Sequence, residues 1–458
     1  MPEQTRALAE FLAATTLLPA PALEHARRAV LDWLGSALAG SLEAPARMAR
    51  RVAARFGVSE EAAMFPASRA SAPAAAFANG VASHILEYDD VHKGSTLHAA
   101  APVIPAALAV AEREHASGGA FLLAVTLGYE AALRVGEAVN PSHYRFWHPT
   151  GTAATFGAAA AAGSLLGLNA DQMQDALGSA GTQAAGLWEF NASGAMSKHL
   201  HPGKAALNGL LAADLAREGF TGAARVLEGE RGFFRAMSQA HDASRITRGL
   251  GRQWKIAENC YKLHACCGHT HSAIDVALDL RASAGAAGIA GIAGIEIETY
   301  GPGFEIVKES NPRTPYQAKF SIAYCVAAAL AEGRVGLEQF SEDRFGPEGV
   351  REPNIAALLS HTQVLVAPDL TAKYPEAWPS RVAVRLAGGA VLRGASDYPR
   401  GNPEHPVSTG MLQQKFLSLV APRLGEPIAR RALAAVSAIE SAGDMAELVR
   451  GLVADGGS

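Results

Sequence analysis

Up to about residue 250 the apolar side chains of this chain recur at helical spacing, and beyond about residue 285 that spacing gives way to alternation. In the first stretch Leu23, Ala26, Val30, Trp33 and Ala37 fall on one stripe between Pro21 and a stop at Gly40. Further helices are predicted over 102–116, 119–139, 151–167, 171–186 and 203–218, each bounded by Pro, Gly or a cap such as Asn169. In the second stretch Ile295–Tyr300, Thr362–Val366 and Arg381–Leu386 read as strands, with helices at Tyr316–Ala331 and Pro353–Leu359 between them. Helix returns behind a Ser408-Thr409 cap and runs to Val420. The pattern predicts a mainly α chain: a helical domain from 1–254 and 396–458, and a smaller α+β domain over 255–395. The Gly/Ala/Ile-rich stretch Ala284–Gly294 is expected to be a flexible connection.

Ala is the commonest residue and Gly occurs 46 times, which favours close helix–helix approach over a large aromatic core. With 40 basic and 44 acidic residues the net charge is −4, so no global field attracts nucleic acid or an anionic membrane. The uncharged run Gly151–Ala170 is made of residues that insert poorly into lipid and reads as a buried helix. No apolar run follows a basic flank at the N-terminus, and the four cysteines are too few for a disulfide framework; both point to the cytoplasm.

Four segments concentrate chemistry. From His84 to His98 there are three histidines and three carboxylates in fifteen residues; His98 sits on the loop Lys93–Ala101, and Asp89 and Asp90 either serve the site or cap a solvated turn. His148 follows two bulky rings just ahead of an Ala-rich helix, where partial burial keeps an imidazole neutral and able to take a proton. Lys198, His199, His201 and Lys204 gather near a predicted helix start, a place suited to a carboxylate or phosphate, but without the glycine and Ser/Thr of a nucleotide-binding loop. Lys262–His271 holds Lys262, His264, Cys266, Cys267, His269 and His271; adjacent cysteines lack the gap of common zinc sites, so no metal is expected, although zinc on this segment is the competing reading. No phosphate-binding glycine pattern accompanies Lys262, which argues against a Schiff-base cofactor there.

Taken together, these segments resemble the MmgE/PrpD family. The resemblance rests on His84-x-x-Glu87-Tyr88-Asp89-Asp90 with His98 and Pro102–Leu108, on Trp147–Thr152, Lys198–Ala206, Leu227–Gly229, Lys262–His271, Ser321–Tyr324, Gly401–Pro403 and Lys415-Phe416. It implies a large all-helical domain made from both chain ends, a smaller α+β lid domain, a homodimer, and no cofactor. It also implies a cleft lined by Glu87, Asp89, Asp90, His98, His148, Lys198, Lys262 and Tyr324, with His201, Lys204, Cys267 and His271 as further substrate contacts. The implied chemistry is formation or protonation of a carbanion beside a carboxylate, which demands positive groups around the developing charge. Lys198 and Lys262 are expected to bind carboxylates, His148 or His98 to move the carbon-bound proton, Tyr324 to protonate a leaving hydroxyl or to reprotonate carbon, and Asp89 or Asp90 to orient a neighbour. Dehydration of a hydroxy di- or tricarboxylate, as in 2-methylcitrate dehydratase, is the expected reaction; epimerisation of the iminodisuccinate type and decarboxylation of the cis-aconitate type are the alternatives. A longer loop between Asp90 and His98, and Cys267 in place of a histidine, set the chain apart from the family's decarboxylases.

Overall fold

Alanine gives up no side-chain entropy on entering a helix and leaves room for a neighbouring backbone. The computed structural model, which describes residues 3–289 and 291–453 and only the backbone of 284–289 and 453, shows where that is used. The chain is mainly α. It divides into two units, one of Met1–Ile85, Asp89–Asn259 and Ser408–Ser458, the other of Leu86–Tyr88 and Cys260–Val407.

The first unit is carried by α1 (Ala20–Gly40), α2 (Ala72–Ser83), α3 (Ala100–Arg113), α4 (Gly118–Val139), α5 (Ala153–Leu165), α6 (Ala170–Gly181) and α7 (Ser197–Arg217). Two glycine crossings set its spacing. A Cβ on Gly157 of α5 would lie 2.6 Å from the Gly128 carbonyl oxygen of α4, and one on Gly80 of α2 would lie 2.8 Å from Cα of Gly203 on α7. Backbones this close exclude any larger residue. α4 is long and apolar enough to cross a membrane by length and composition, but 83% of its most apolar window is buried, as in a core helix. The uncharged run after Gly151 folds into α5, whose residues Ala153–Gly163 are buried. A capping box formed by Asn169 and Gln172 starts α6.

Two boundaries differ from expectation. α6 stops at Gly181, and 182–188 is non-helical, with Leu187 in a β-bridge to Trp147. α7 begins at Ser197, so Pro202 and Gly203 lie inside it and Lys198, His199 and His201 are helical. Pro202 donates no ladder bond.

The second unit contains α8 (His271–Ile289), β1 (Ile292–Thr299), α9 (Ile322–Glu332), β2 (Thr362–Val366), β3 (Ser380–Leu386) and β4 (Val391–Ser396). The strands order as β4-β3-β1-β2, with β1 parallel to β2 and antiparallel to β3. Ile295 and Ile297 face inward while Glu296 is exposed, the alternation of a sheet covered on one side. The helix expected over Tyr316–Ala331 is broken into Pro315–Lys319 and α9, because Ser321 turns out to cap Tyr324. The stretch expected to be a flexible connection instead carries the end of α8 and the start of β1; Ala-rich sequence sustains helix to Ile289, and position 290 lies outside the described residues.

The returning helix, α10 (Thr409–Leu424), is capped by Ser408 and belongs to the first unit. Its buried Lys415 ammonium lies 2.6 Å from Asp32 on α1, and Phe416 abuts Gly35 at a distance that a Cβ would cut to 3.1 Å.

Candidate active site

In the first unit α2 ends at Ser83, and His84, its C-terminal cap, hands the chain to a tight acidic loop. That loop folds on itself: the His92 amide donates to the Leu97 carbonyl at 2.8 Å, and His92 Nδ1 meets the Ser95 hydroxyl at 2.8 Å. The His98 amide in turn donates to Thr150 Oγ1 at 3.2 Å, which ties the loop to the turn carrying His148.

Four imidazoles come together there. His84 Nδ1 donates to Asp89 Oδ2 at 2.8 Å, and His98 Nδ1 donates to the Asp90 carbonyl at 2.6 Å. The ring centroid of His84 is 4.6 Å from that of His98 and 5.7 Å from that of His148. His148 Nδ1 and His201 Nδ1 face each other at 3.0 Å, so one carries the hydrogen and the other receives it. Trp188 and Phe190 wall the His148 ring at 5.0 and 5.8 Å.

Burial holds His148 well below the usual histidine range, and the nearby His201, His84 and Lys198 push the same way. His201 is pushed down to about 3, chiefly by burial and then by Lys204. Both rings are neutral near pH 7, which makes them proton acceptors rather than donors. Lys198 is 2% exposed.

Three of the expected site residues are engaged within the protein. The Asp90 carboxylate is consumed by the Tyr129 hydroxyl, the Asn259 amide and the Ala100 amide; it is pushed up to about 7 by burial and acts on His98 only through its main-chain carbonyl. The Lys204 ammonium donates to the carbonyls of Gly151, Gln183 and Ala185 at 2.9 to 3.2 Å, so its three hydrogens clamp the main chain behind His201. In the second unit the Tyr324 hydroxyl donates to the Gln339 carbonyl, and its ring packs against Phe340 and Phe345 as a core residue.

The second unit holds a separate group. Lys262 Nζ donates to the Glu87 carbonyl at 3.2 Å and lies 3.7 Å from its carboxylate. Glu87 sits at φ 57°, a left-handed conformation that is costly without glycine. Tyr316, pushed up by burial and by the charges of Glu87 and Cys267, adds a phenol to this neighbourhood. Cys267 is buried and its amide donates to the Lys319 carbonyl. The segment considered for zinc is engaged elsewhere: His264 with Asp275 at 2.9 Å, His269 with the Tyr300 hydroxyl, Cys266 with Thr270, and His271 with the Cys266 carbonyl.

Sequence reasoning missed His84, Trp188, Phe190 and Tyr316. His84 was signalled as the start of the His84–His98 segment and the first letter of the His-x-x-Glu motif, but nothing local marks a helix cap as the middle of an imidazole cluster.

The MmgE/PrpD N-terminal domain matches residues 6–246 and the MmgE/PrpD C-terminal domain matches residues 264–441. The chain belongs to the MmgE/PrpD family. Among its relatives, a cis-aconitate decarboxylase-like protein of Aspergillus oryzae is 28% identical over 94% of this chain and 93% of its own. Cis-aconitate decarboxylase of Aspergillus terreus is 30% identical over 72% of this chain and 71% of its own, and that of Homo sapiens 28% identical over 86% and 82%.

Proposed function

We propose that this protein is a lyase that works without an organic cofactor on a small di- or tricarboxylate, through a carbanion beside a carboxylate. The observation that carries this reading is the cluster of His84, His98, His148 and His201, aimed by Asp89 and walled by aromatic rings. A carbon-bound proton beside a carboxylate is so weakly acidic that its removal needs a positioned base and a positive environment. His148 supplies the base, His201 shares the proton across their Nδ1 contact, and Lys198 offsets the negative charge that grows on the substrate. Lys262 is a second cationic candidate for a substrate carboxylate.

Dehydration follows if the proton is taken first and water leaves. Decarboxylation is the second reading, and one observation favours it: the relatives named above are cis-aconitate decarboxylases and a cis-aconitate decarboxylase-like protein. Loss of carbon dioxide needs only a proton returned to carbon. The homodimer implied by the family resemblance and the cytoplasmic location read from the N-terminal flank and the few cysteines belong to the same reading.

The test is to incubate the pure protein in deuterated water with 2-methylcitrate, citrate, cis-aconitate and iminodisuccinate in turn. A new double bond without gas identifies a dehydratase, release of carbon dioxide a decarboxylase, and deuterium at the α carbon without net loss an epimerase. No exchange and no product with any of the four would remove the proposal.

A further inference from the structure

The same imidazoles have a property that proton transfer does not require. His84, His98 and His148 each offer a nitrogen, and the three nitrogens lie within 4.8 Å of one another. We propose that His84, His98 and His148 form a binding site for one divalent transition-metal ion of the zinc class.

Three observations carry it. First, the outer nitrogens are already held as metal-binding histidines are held. His84 Nδ1 donates to the Asp89 carboxylate at 2.8 Å and His98 Nδ1 to the Asp90 carbonyl at 2.6 Å, which fixes each tautomer with Nε2 as the nitrogen able to ligate. Second, His84 Nε2 is fully buried and makes no hydrogen bond, an orphan acceptor at the centre of the group. Third, the ligand set selects the ion: imidazole nitrogens suit zinc, cobalt, nickel and copper, whereas magnesium and calcium require oxygen. Binding draws the nitrogens together to the roughly 3.4 Å spacing that ~2.1 Å bonds at tetrahedral angles give, and leaves the fourth position open. The Asp89 carboxylate offsets the incoming charge against the nearby Lys198.

Among the described residues, the other group with compatible spacing, His92, Glu137 and Glu258, does not compete. Lys255 Nζ lies 2.9 Å from Glu137 and 3.0 Å from Glu258 and already supplies the cation there.

Binding itself is independent of the proposed lyase activity; only its consequence rests on that reading. An ion on these lone pairs denies them to a proton, so it blocks turnover.

The experiment uses the full chain, stripped with a chelator and titrated with cobalt(II). We expect one equivalent to bind with the visible spectrum of a nitrogen and oxygen site, to be displaced by zinc(II), and zinc to raise the melting temperature. His84→Gln and His98→Gln should weaken cobalt binding at least ~100-fold and Asp89→Asn about 10-fold, while His92→Gln leaves it unchanged. His98→Gln and Asp89→Asn keep the test open if the His84 variant does not fold. A thiolate-to-cobalt charge-transfer band, no visible spectrum at saturation, or affinity insensitive to these histidines would overturn the site. Cobalt binding that leaves turnover intact would keep the site and remove the proton-transfer reading. Turnover without cobalt binding would do the reverse.

Discussion

Removing an imidazole and removing the carboxylate that aims one are different perturbations. His148→Gln deletes the base, and kcat on the active polycarboxylate should fall ~10²- to 10⁴-fold with the circular dichroism spectrum unchanged. Asp89→Asn keeps the shape but loses the charged acceptor of His84, so kcat should fall less while KM holds; equal turnover in both variants and wild type would dismiss the cluster as catalytic. Lys204 makes the opposite claim. With its ammonium bonded to three carbonyls, Lys204→Met should cost ~1.5–3 kcal/mol in urea unfolding and leave KM alone; a raised KM at wild-type stability would return Lys204 to the substrate. His98, His148 and His201 were legible because their neighbours in sequence are dense with chemistry. The engagements of Lys204, Asp90 and Tyr324 were not legible because the acceptors or donors they meet come from Ala185, Tyr129 and Gln339, which no local pattern announces.

At the scale of elements, glycine marks where helices touch. A Cβ at Gly157 meets the Gly128 carbonyl oxygen and Ala132 Cβ, each at 2.6 Å, and neither can yield without moving α4. Gly157→Ala should therefore cost ~1–3 kcal/mol by chemical denaturation, whereas Gly443→Ala, with nothing within 4 Å, should change stability by less than ~0.5 kcal/mol. Equal costs at the two positions would reject the close crossing. Helix periodicity located α3 to α6 to within a few residues because each has a capping or breaking residue at one end or both. It misplaced the start of α7, where Pro202 and Gly203 imitate a boundary that tertiary packing on α2 overrides. β4 escaped notice because Val391–Ser396 has little apolar character on either face, and only its pairing with β3 makes it a strand.

Across the whole molecule, buried titratable groups set how stability follows pH. Burial pushes His143 down to about 4 and His269 to about 3, so the native state stays neutral at these positions where the unfolded chain, titrating near ~6.5, takes up a proton. Stability from each is complete above about pH 6.5 and is lost as pH falls toward the folded value, at up to ~1.4 kcal/mol per pH unit. Asp90 works in the other direction. Held up to about 7 by burial, it keeps its proton in the native state after the unfolded carboxyl, near ~3.9, has lost it, so its contribution declines as pH rises from about 4 to 7. The two effects oppose each other in the wild type, and variants separate them. In urea unfolding between about pH 4.5 and 6.5, His269→Gln should gain on wild type as pH falls and Asp90→Asn should gain as pH rises. Parallel stability curves for wild type and either variant would mean that the deleted group binds protons alike in the folded and unfolded states, contrary to its burial.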